Sequence, residues 1–418
     1  MIAVVGAGAA GLAAGIFARA GGRPVTVLER TADGGRKILI SGGGRCNVLP
    51  AALEPARFVS ESSPRIVQRL LRSWPLRAQL EFFERDVGVP LAFEAETRKW
   101  FPTSNRARDV RDGLVALARR AGASVEFDTA VLTIEKSEEG WRIATSRGVV
   151  DADAVIIATG GLSVPTTGST GTGLEIATAL GHVVHRTYPA LTPLLAAGAP
   201  HAALAGVSLD VRIRAETADA ALRAEARGGF LFTHRGYSGP SVLDVSHVVA
   251  LAAMSGMSTR VRVQWSDRDD VAWRRELIDS PGRVANVLAR TLPERLADEL
   301  VRDAGIPSSR TTAELRRDER AALVDRLVNF ALPVTGDEGY RKAEVTGGGV
   351  ALDEVDPRTL ESVRHPGLYF CGEVLDAFGP IGGHNFAWAW ATGRLAGRAA
   401  GTKTPRTASC PELPGSDS

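Results

Sequence analysis

Three glycines at the start of the chain, Gly6-x-Gly8-x-x-Gly11, are spaced as in a dinucleotide-binding turn. Each plays a separate part. Gly6 permits the tight turn, Gly8 lets a pyrophosphate approach the backbone, and Gly11 allows close packing of helix on strand. The amides of Ala9 and Ala10, at the start of the helix that follows, can bind phosphate oxygens with help from the helix dipole. Glu29, with Arg30 beside it, stands 18 residues beyond Gly11, where a carboxylate accepts hydrogen bonds from ribose hydroxyls. That charge repels a 2′-phosphate, so the site is expected to hold FAD or NAD rather than NADP.

Further along, Gly34-Gly35-Arg36-Lys37 and Ser41-Gly42-Gly43-Gly44-Arg45-Cys46-Asn47 concentrate glycine within 14 residues. Glycine orders at a high backbone-entropy cost, so this stretch is expected to be a loop that approaches another group closely. Ala158-Thr159-Gly160-Gly161 closes a later apolar strand, and Gly372-Glu373-Val374-Leu375-Asp376 follows the last one. Cys46, Cys371 and Cys410 form no CxxC, which argues against a zinc site, a local redox dithiol and a disulfide framework. Cys46 is expected to be a buried structural thiol.

These residues need a scaffold. Ile2–Val5 reads as a strand buried on both faces, Leu12–Ala20 as a helix stopped by Gly21-Gly22, and Pro24–Leu28 as a second buried strand. The first 30 residues are therefore a βαβ unit. A helical period runs from Ile66 to Gly88, a helix from Val110 to Ala121, a strand over Ser124–Phe127, and an antiparallel meander over residues 130 to 158. The composition then changes and returns to its initial character after Gly336. The reading is an α/β protein: a discontinuous Rossmann-like nucleotide-binding domain of residues 1–189 and 338–401, with an inserted domain over 190–337. Strands are expected up to about 266 and helices over 267–330. Residues 402–418 read as a disordered tail.

The chain has 418 residues, 44% of them apolar and 23% charged, which excludes disordered, collagenous and disulfide-rich classes. The formal charge is +2. Residues 267–326 carry 12 Arg against 13 acids, a solvated helical surface rather than a polynucleotide groove, so no nucleic-acid partner is expected. No apolar run reaches the ~20 residues of a membrane span, and the amino terminus lacks a basic n-region, so the expected address is the cytoplasm.

The sequence resembles the two-dinucleotide-binding flavoprotein superfamily and, more narrowly, the bacterial family that includes aminoacetone oxidase and a bile-acid dehydroxylation reductase. The resemblance rests on Gly35 through Asn47, Thr167-Gly168-Ser169-Thr170-Gly171, Leu231-Phe232-Thr233-His234 with Ser238-Gly239-Pro240, and Gly367-Leu368-Tyr369-Phe370 through Asn385. It implies a glutathione-reductase-like FAD domain with an inserted small β-barrel and helical bundle. It further implies that Gly6, Gly8, Gly11 and Glu29 hold the adenosine diphosphate half. Val131 would offer its backbone to the adenine, and Gly372, Glu373 and Asp376 would follow the ribityl–phosphate half. Arg36, Lys37 and Ser41 to Arg45 would form a loop against the cofactor. Gly382-Gly383-His384-Asn385, with Phe386 next, would start the last helix toward the flavin pyrimidine ring. The family usually has an aromatic residue where His384 stands, and Val48-Leu49 replaces a more polar pair.

The implied activity is FAD-dependent oxidoreduction, with hydride passing between a small organic substrate or NAD(P)H and flavin N5. No second Gly-x-Gly-x-x-Gly is present, so a nicotinamide would bind only transiently at the flavin face. Arg45, His234 and His384 are the candidates for catalysis, the imidazoles because they titrate near neutrality. A flavin-dependent tRNA-modifying protein and a flavin redox sensor without turnover are the other classes considered. The sequence leaves the oligomeric state open.

Overall fold

The computed structural model describes residues 1–403. The chain divides into two compact units, one formed by Met1–Thr187 with the chain from Gly348 onward, the other by Tyr188–Gly347. Each has its own hydrophobic core.

The first unit is organised by a parallel sheet. Its strands are β1 (Ile2–Val5), β2 (Val25–Leu28), β3 (Ser124–Glu126), β4 (Ala154–Ile157) and β5 (Leu368–Phe370), in the order β5-β4-β1-β2-β3. Every residue of β1 and β4 is buried, as helices on both faces of a parallel sheet require. The register pairs Val5 with Leu28 on one side and with Ile157 on the other, and Ile157 with Phe370. The four strands therefore end in one row. Glu29, Gly6, Ala158 and Cys371-Gly372 leave from the same edge, the carboxyl edge where open α/β sheets bind ligands.

Three helices matter most here: α1 (Ala9–Arg19), α2 (Ala107–Arg120) and α3 (His384–Thr402). A Cβ built on Gly393 would lie 2.4 Å from the Ala10 carbonyl oxygen. On Gly397 it would lie 2.3 Å from that of Ala14, and on Gly401 2.4 Å from that of Ala18. Both helices thus present a small residue every fourth position, run in the same direction and touch backbone to backbone.

The meander consists of Val131–Lys136, Trp141–Thr145 and Gly148–Ala152. The helical period after residue 66 resolves into Pro64–Arg72 and Leu76–Glu81, the latter continuing as Phe82–Val87, with the break at Ser73-Trp74-Pro75. Leu49–Pro50, Leu91–Glu94 and Lys99–Pro102 form a small antiparallel sheet that the sequence pattern did not indicate. Two expectations are corrected. The glycine-rich stretch is not irregular throughout: Arg36–Ile40 is a helical turn, and Ser41–Gly44 a shorter one in which Gly42 and Gly43 adopt φ of 57° and 67°. Thr402 is the last residue of α3 rather than the first of a tail, and the Lys403 amide bonds to the Ala399 carbonyl. The remainder of the expected tail, residues 404–418 with Cys410, lies outside the described residues.

In the second unit the expected barrel takes the form of one seven-stranded antiparallel sheet. Its order is 330–332, 259–264, 208–217, 223–232, 236–238, 194–195, 336–337. The two edge strands are consecutive in the chain. Phe230, Phe232, Tyr237 and Trp265 fill its core, beside helix Pro240–Met254. Helices Asp270–Asp279, Val284–Leu288, Glu294–Asp303 and Arg317–Val328 add Trp273, Leu277, Leu288, Leu296, Leu300 and Leu323 to the same core.

The α1–α3 contact has no room for a methyl group, because backbone rather than a flexible side chain stands opposite. Gly397→Ala should lower unfolding stability by about 2 kcal/mol or more. Gly336→Ala, where a Cβ meets no atom within 4 Å, should change it by less than ~0.5 kcal/mol. Urea denaturation of the two variants checks the difference.

Candidate dinucleotide site

The three glycines of the first turn differ as their separate parts require. Gly6 has φ of 101°, and a Cβ on it would stand 2.7 Å from the Ala158 carbonyl oxygen. A Cβ on Gly11 would stand 1.8 Å from the Gly6 carbonyl oxygen, so helix and turn are in direct contact. Gly8, the residue preceding α1, has φ of −77° and no atom within 4 Å of its Cβ position. The space in front of Gly8 is open, and no side chain caps the first-turn amides of α1, which have no intrahelical acceptor. Glu29 is buried at the end of β2 and accepts from the Ala7 amide at 2.7 Å, the Thr31 amide at 2.8 Å and Thr31 Oγ1 at 2.6 Å. A carboxylate offers about four acceptor sites, so one remains for a ribose hydroxyl. Arg30 bonds to Thr170 Oγ1.

Gly372 joins the last strand to this cradle. Its Cβ position is 2.6 Å from that of Ala10, and its amide donates to Thr392 Oγ1 on α3 at 3.0 Å. The next residue, Glu373, accepts from Lys37 Nζ at 2.5 Å and from Ser163 Oγ at 2.7 Å, while Lys37 also donates to Ser163 at 2.6 Å. Lys37 is thus a partly buried member of a cluster at the sheet edge, not a free surface lysine. Ser163 stands just beyond Ala158-Thr159-Gly160-Gly161. No motif marks it, and only the pairing of strand ends brings it here. Arg36 pairs with Asp33 at 2.8 Å, and Ser41 Oγ donates to the Ile38 carbonyl at 2.9 Å.

Arg45 forms a bidentate ion pair with Glu94 at 3.1 and 3.2 Å and lies over the Phe101 ring at 3.8 Å. These contacts tie the glycine turn to the small antiparallel sheet. The carboxyl of Glu94 is held below its ordinary range, first by the Arg45 hydrogen bonds. Cys46 takes φ of 66° and is fully buried, and burial pushes its thiol up to about 12. A thiol in that state is not a nucleophile at neutral pH. The Oδ1 of Asn47 is buried without a partner.

The other predicted residues have the following environments. Asp376 is 2% exposed, and its Oδ2 accepts from Ser60 Oγ at 3.0 Å, the Glu61 amide at 2.9 Å and Ser62 Oγ at 3.4 Å. His185 Nδ1 lies 2.8 Å from the same oxygen. Asp376 therefore ties the segment at 60–62 and His185 to the last loop, partners with no pattern in the sequence. Asn385 bonds through its side chain to both the amide and the carbonyl of Gly379, at 2.8 and 3.0 Å, and closes the turn before α3. Phe386 stacks on Trp390 at 5.6 Å. Gly382 and Gly383 adopt φ of 103° and 96°. Val131 begins the meander opposite Thr145, with a bulge immediately after it. In the second unit, His234 is an exposed turn residue between Thr233 and Gly236, whose backbones pair at 2.9 Å.

His384 opens α3 and is 7% exposed. Burial pushes its imidazole down to about 4, Arg57 and Lys99 act in the same direction, and the Ile381 and Ala52 backbone opposes them. The ring is neutral at physiological pH, so it does not stand ready as a general acid. Among the described residues no group of His, Cys, Asp and Glu could hold a metal ion, and no helix is long and apolar enough to cross a membrane.

An open glycine at an uncapped helix start, a buried acid at the next strand end and a parallel sheet converging on both fit a dinucleotide. The fold is the Rossmann FAD-binding fold, and the class is that of the flavoprotein oxidoreductases. Residues 1–399 match the family model described as the HI0933-like protein Rossmann domain, and the chain belongs to that family. It is 32% identical to a ribosomal RNA dihydrouridine synthase of Escherichia coli (strain K12), over 93% of this chain and 95% of the relative. It is 31% identical to a 3-dehydro-bile acid delta(4,6)-reductase of Clostridium scindens, over 96% and 98%. Among solved structures, it shares its fold with 3-ketosteroid-delta4-(5alpha)-dehydrogenase from Rhodococcus jostii RHA1, with a TM-score of 0.52, 15% identity and 96% of both chains covered.

The glycines can be separated by experiment. Gly8→Val should leave the folded protein intact but without FAD after purification, because the new side chain occupies only the open space. Gly11→Val should lose about 3 kcal/mol or more of stability, because it meets backbone. Flavin absorbance and thermal melting of both variants check this. His384 gives a pH prediction. Between pH 6.5 and 4 the unfolded chain binds a proton that the folded protein refuses, so stability falls as the pH drops through that window. Wild-type protein should lose about 2–3 kcal/mol more than His384→Phe between pH 7 and 4.5, measured by urea unfolding.

Proposed function

We propose that the protein is a reductase that passes a hydride from NAD(P)H, through FAD, to a carbon–carbon double bond conjugated with a carbonyl. One observation carries the FAD placement. Matching Gly393 with Ala10, Gly397 with Ala14 and Gly401 with Ala18 offsets the two parallel helices by a constant amount. By that offset α3 begins eight residues, about 12 Å, beyond the start of α1. Two positive helix ends, staggered along one direction, suit a long ligand with a pyrophosphate at the first and an electron-accepting ring at the second.

Bound FAD supplies hydride exchange at N5. The chain's own residues do the rest. The α1 amides and Gly8 take the pyrophosphate, Glu29 takes the adenosine ribose, and the α3 amino end favours negative charge on the pyrimidine ring. Lys37, Ser163 and Glu373 form the polar wall between them. No second dinucleotide motif is present, which supports a nicotinamide that binds transiently and leaves before the substrate enters. The substrate class is supported by the names of the relatives, since making dihydrouridine and reducing a delta(4,6) 3-dehydro bile acid both saturate a double bond activated by a carbonyl. The small-molecule reading is the first choice. The second, a uracil within ribosomal RNA, is favoured by two relatives that bear that name. Two buried, unpaired cysteines support a reducing, cytoplasmic address.

Anaerobic titration with NADH and then NADPH, followed by a cyclic enone or by unmodified ribosomal RNA, tests the proposal. The flavin absorbance should bleach with one nicotinamide and return with one acceptor, and the product should be two hydrogens heavier by mass spectrometry. Bleaching that neither acceptor reverses anaerobically would overturn the substrate class. A flavin that no nicotinamide reduces would overturn the donor.

A further inference from the structure

The outer face of the seven-stranded sheet carries charge in a regular array. Along strands Ser208–Thr217, Arg223–Phe232 and Thr259–Gln264 alternate side chains point inward, and Val211, Ile213, Ala226 and Val263 belong to the core of the second unit. The residues between them face outward. Strand register sets these in three cross-strand rows: Arg227–Arg212–Gln264, Glu225–Arg214–Arg262 and Arg223–Glu216–Arg260. Six of the nine positions are arginine and two are glutamate, a net charge of +4 where the whole chain has +2. Asp210 and Asp267, at one end, reduce this excess without cancelling it.

The acids within the array leave much of it unpaired. Glu225 pairs with Arg212 at 3.5 Å and with Arg214 at 3.0 Å, and Asp267 pairs with Arg227. Among the described residues Arg223, Arg260 and Arg262 have no carboxylate partner. Arg260 and Arg262 each donate one bond to a backbone carbonyl, of Ala218 and Asn329. Arg212 stands directly opposite Arg227, and Arg214 opposite Arg262, so two pairs set like charge against like, which destabilises a sheet. A polyanion laid across the face offsets that repulsion. Arginine presents its donors in a planar fork that meets phosphate oxygens two at a time. The rows lie about 7 Å apart along the strands, close to the separation of successive phosphates in a nucleic-acid strand. No aromatic residue stands in the array, so it suits backbone phosphates rather than stacked bases. A residue count along the chain does not reveal it, because the arginines come from three stretches that only strand pairing sets side by side. We infer that this face docks the phosphate backbone of a folded RNA, independently of base sequence. For the kind of polyanion the inference rests on the second reading above, a uracil within ribosomal RNA, and it is tested by binding rather than turnover.

Full-length, FAD-loaded protein titrated into a fluorescently labelled fragment of unmodified ribosomal RNA, with anisotropy read at several KCl concentrations, tests it. The triple variant Arg223→Gln/Arg260→Gln/Arg262→Gln should bind at least about tenfold more weakly, and its slope of log affinity against log salt should shrink by about two. Arg274→Gln/Arg275→Gln/Arg302→Gln removes the same charge from exposed helix positions of the same unit and should stay within about twofold of wild type. Both variants should keep wild-type flavin absorbance and thermal melting. Equal losses in the two variants would overturn the inference, because binding then follows net charge alone. An array variant that binds like wild type would overturn it as well. So would wild-type protein that binds polyglutamate as tightly as RNA, which marks an acidic protein as the partner. RNA held through the array but never reduced by the reduced flavin would sustain the docking surface and overturn the uracil reading.

Discussion

Backbone contact between α1 and α3 constrains everything else in the first unit. Ala10, Ala14 and Ala18 meet Gly393, Gly397 and Gly401 with carbonyl oxygens where side chains would otherwise be. This approach is possible only because one helix offers glycine at each crossing point. It brings the carboxyl-terminal segment of the chain against its first helix and sets both helices in one direction. It also fixes how far the start of α3 reaches past the start of α1. A methyl group at its centre would therefore disturb the site as well as the fold.

The sheet supplies the second constraint. Strands β1, β2, β4 and β5 end in one register row, so residues from four distant stretches leave the same edge. Glu29 comes from the second strand, Ala158 to Ser163 from the fourth and Gly372-Glu373 from the fifth. The Lys37–Ser163–Glu373 cluster is a product of that convergence. It places a lysine charge beside a carboxylate in partly buried surroundings, where each reduces the other's cost of desolvation. Asp376 uses the same principle without a lysine, by gathering hydroxyls, an amide and an imidazole on one oxygen.

Much of the scaffold was legible in the sequence. Short apolar runs bounded by glycine identify β1, β2 and β4, and the spacing of Gly6, Gly8 and Gly11 identifies the turn before α1, because those patterns express local geometry. The meander was legible for the same reason, since period-two alternation follows from the pleat. The helical turns within residues 36–44 were not. Glycine there accepts both helical and left-handed φ, so composition alone reads as a loop. The glycines of α3 were equally silent. A glycine every fourth residue carries no meaning until a partner helix with alanine at the same spacing lies beside it.

By itself the sequence determined the βαβ start and the family, and it named the candidates for meeting a dinucleotide, since these readings depend on neighbours within a few positions or on long motifs. Only the tertiary structure decided what those residues do. It paired Lys37 with Glu373, engaged Arg45 with Glu94, and gave Asp376 four protein partners. It also turned His384 from a candidate proton donor into a neutral, buried ring. The physical reason is that charge state and hydrogen-bonding capacity are set by burial and by what stands within about 3 Å. Those neighbours come from parts of the chain that only folding brings together.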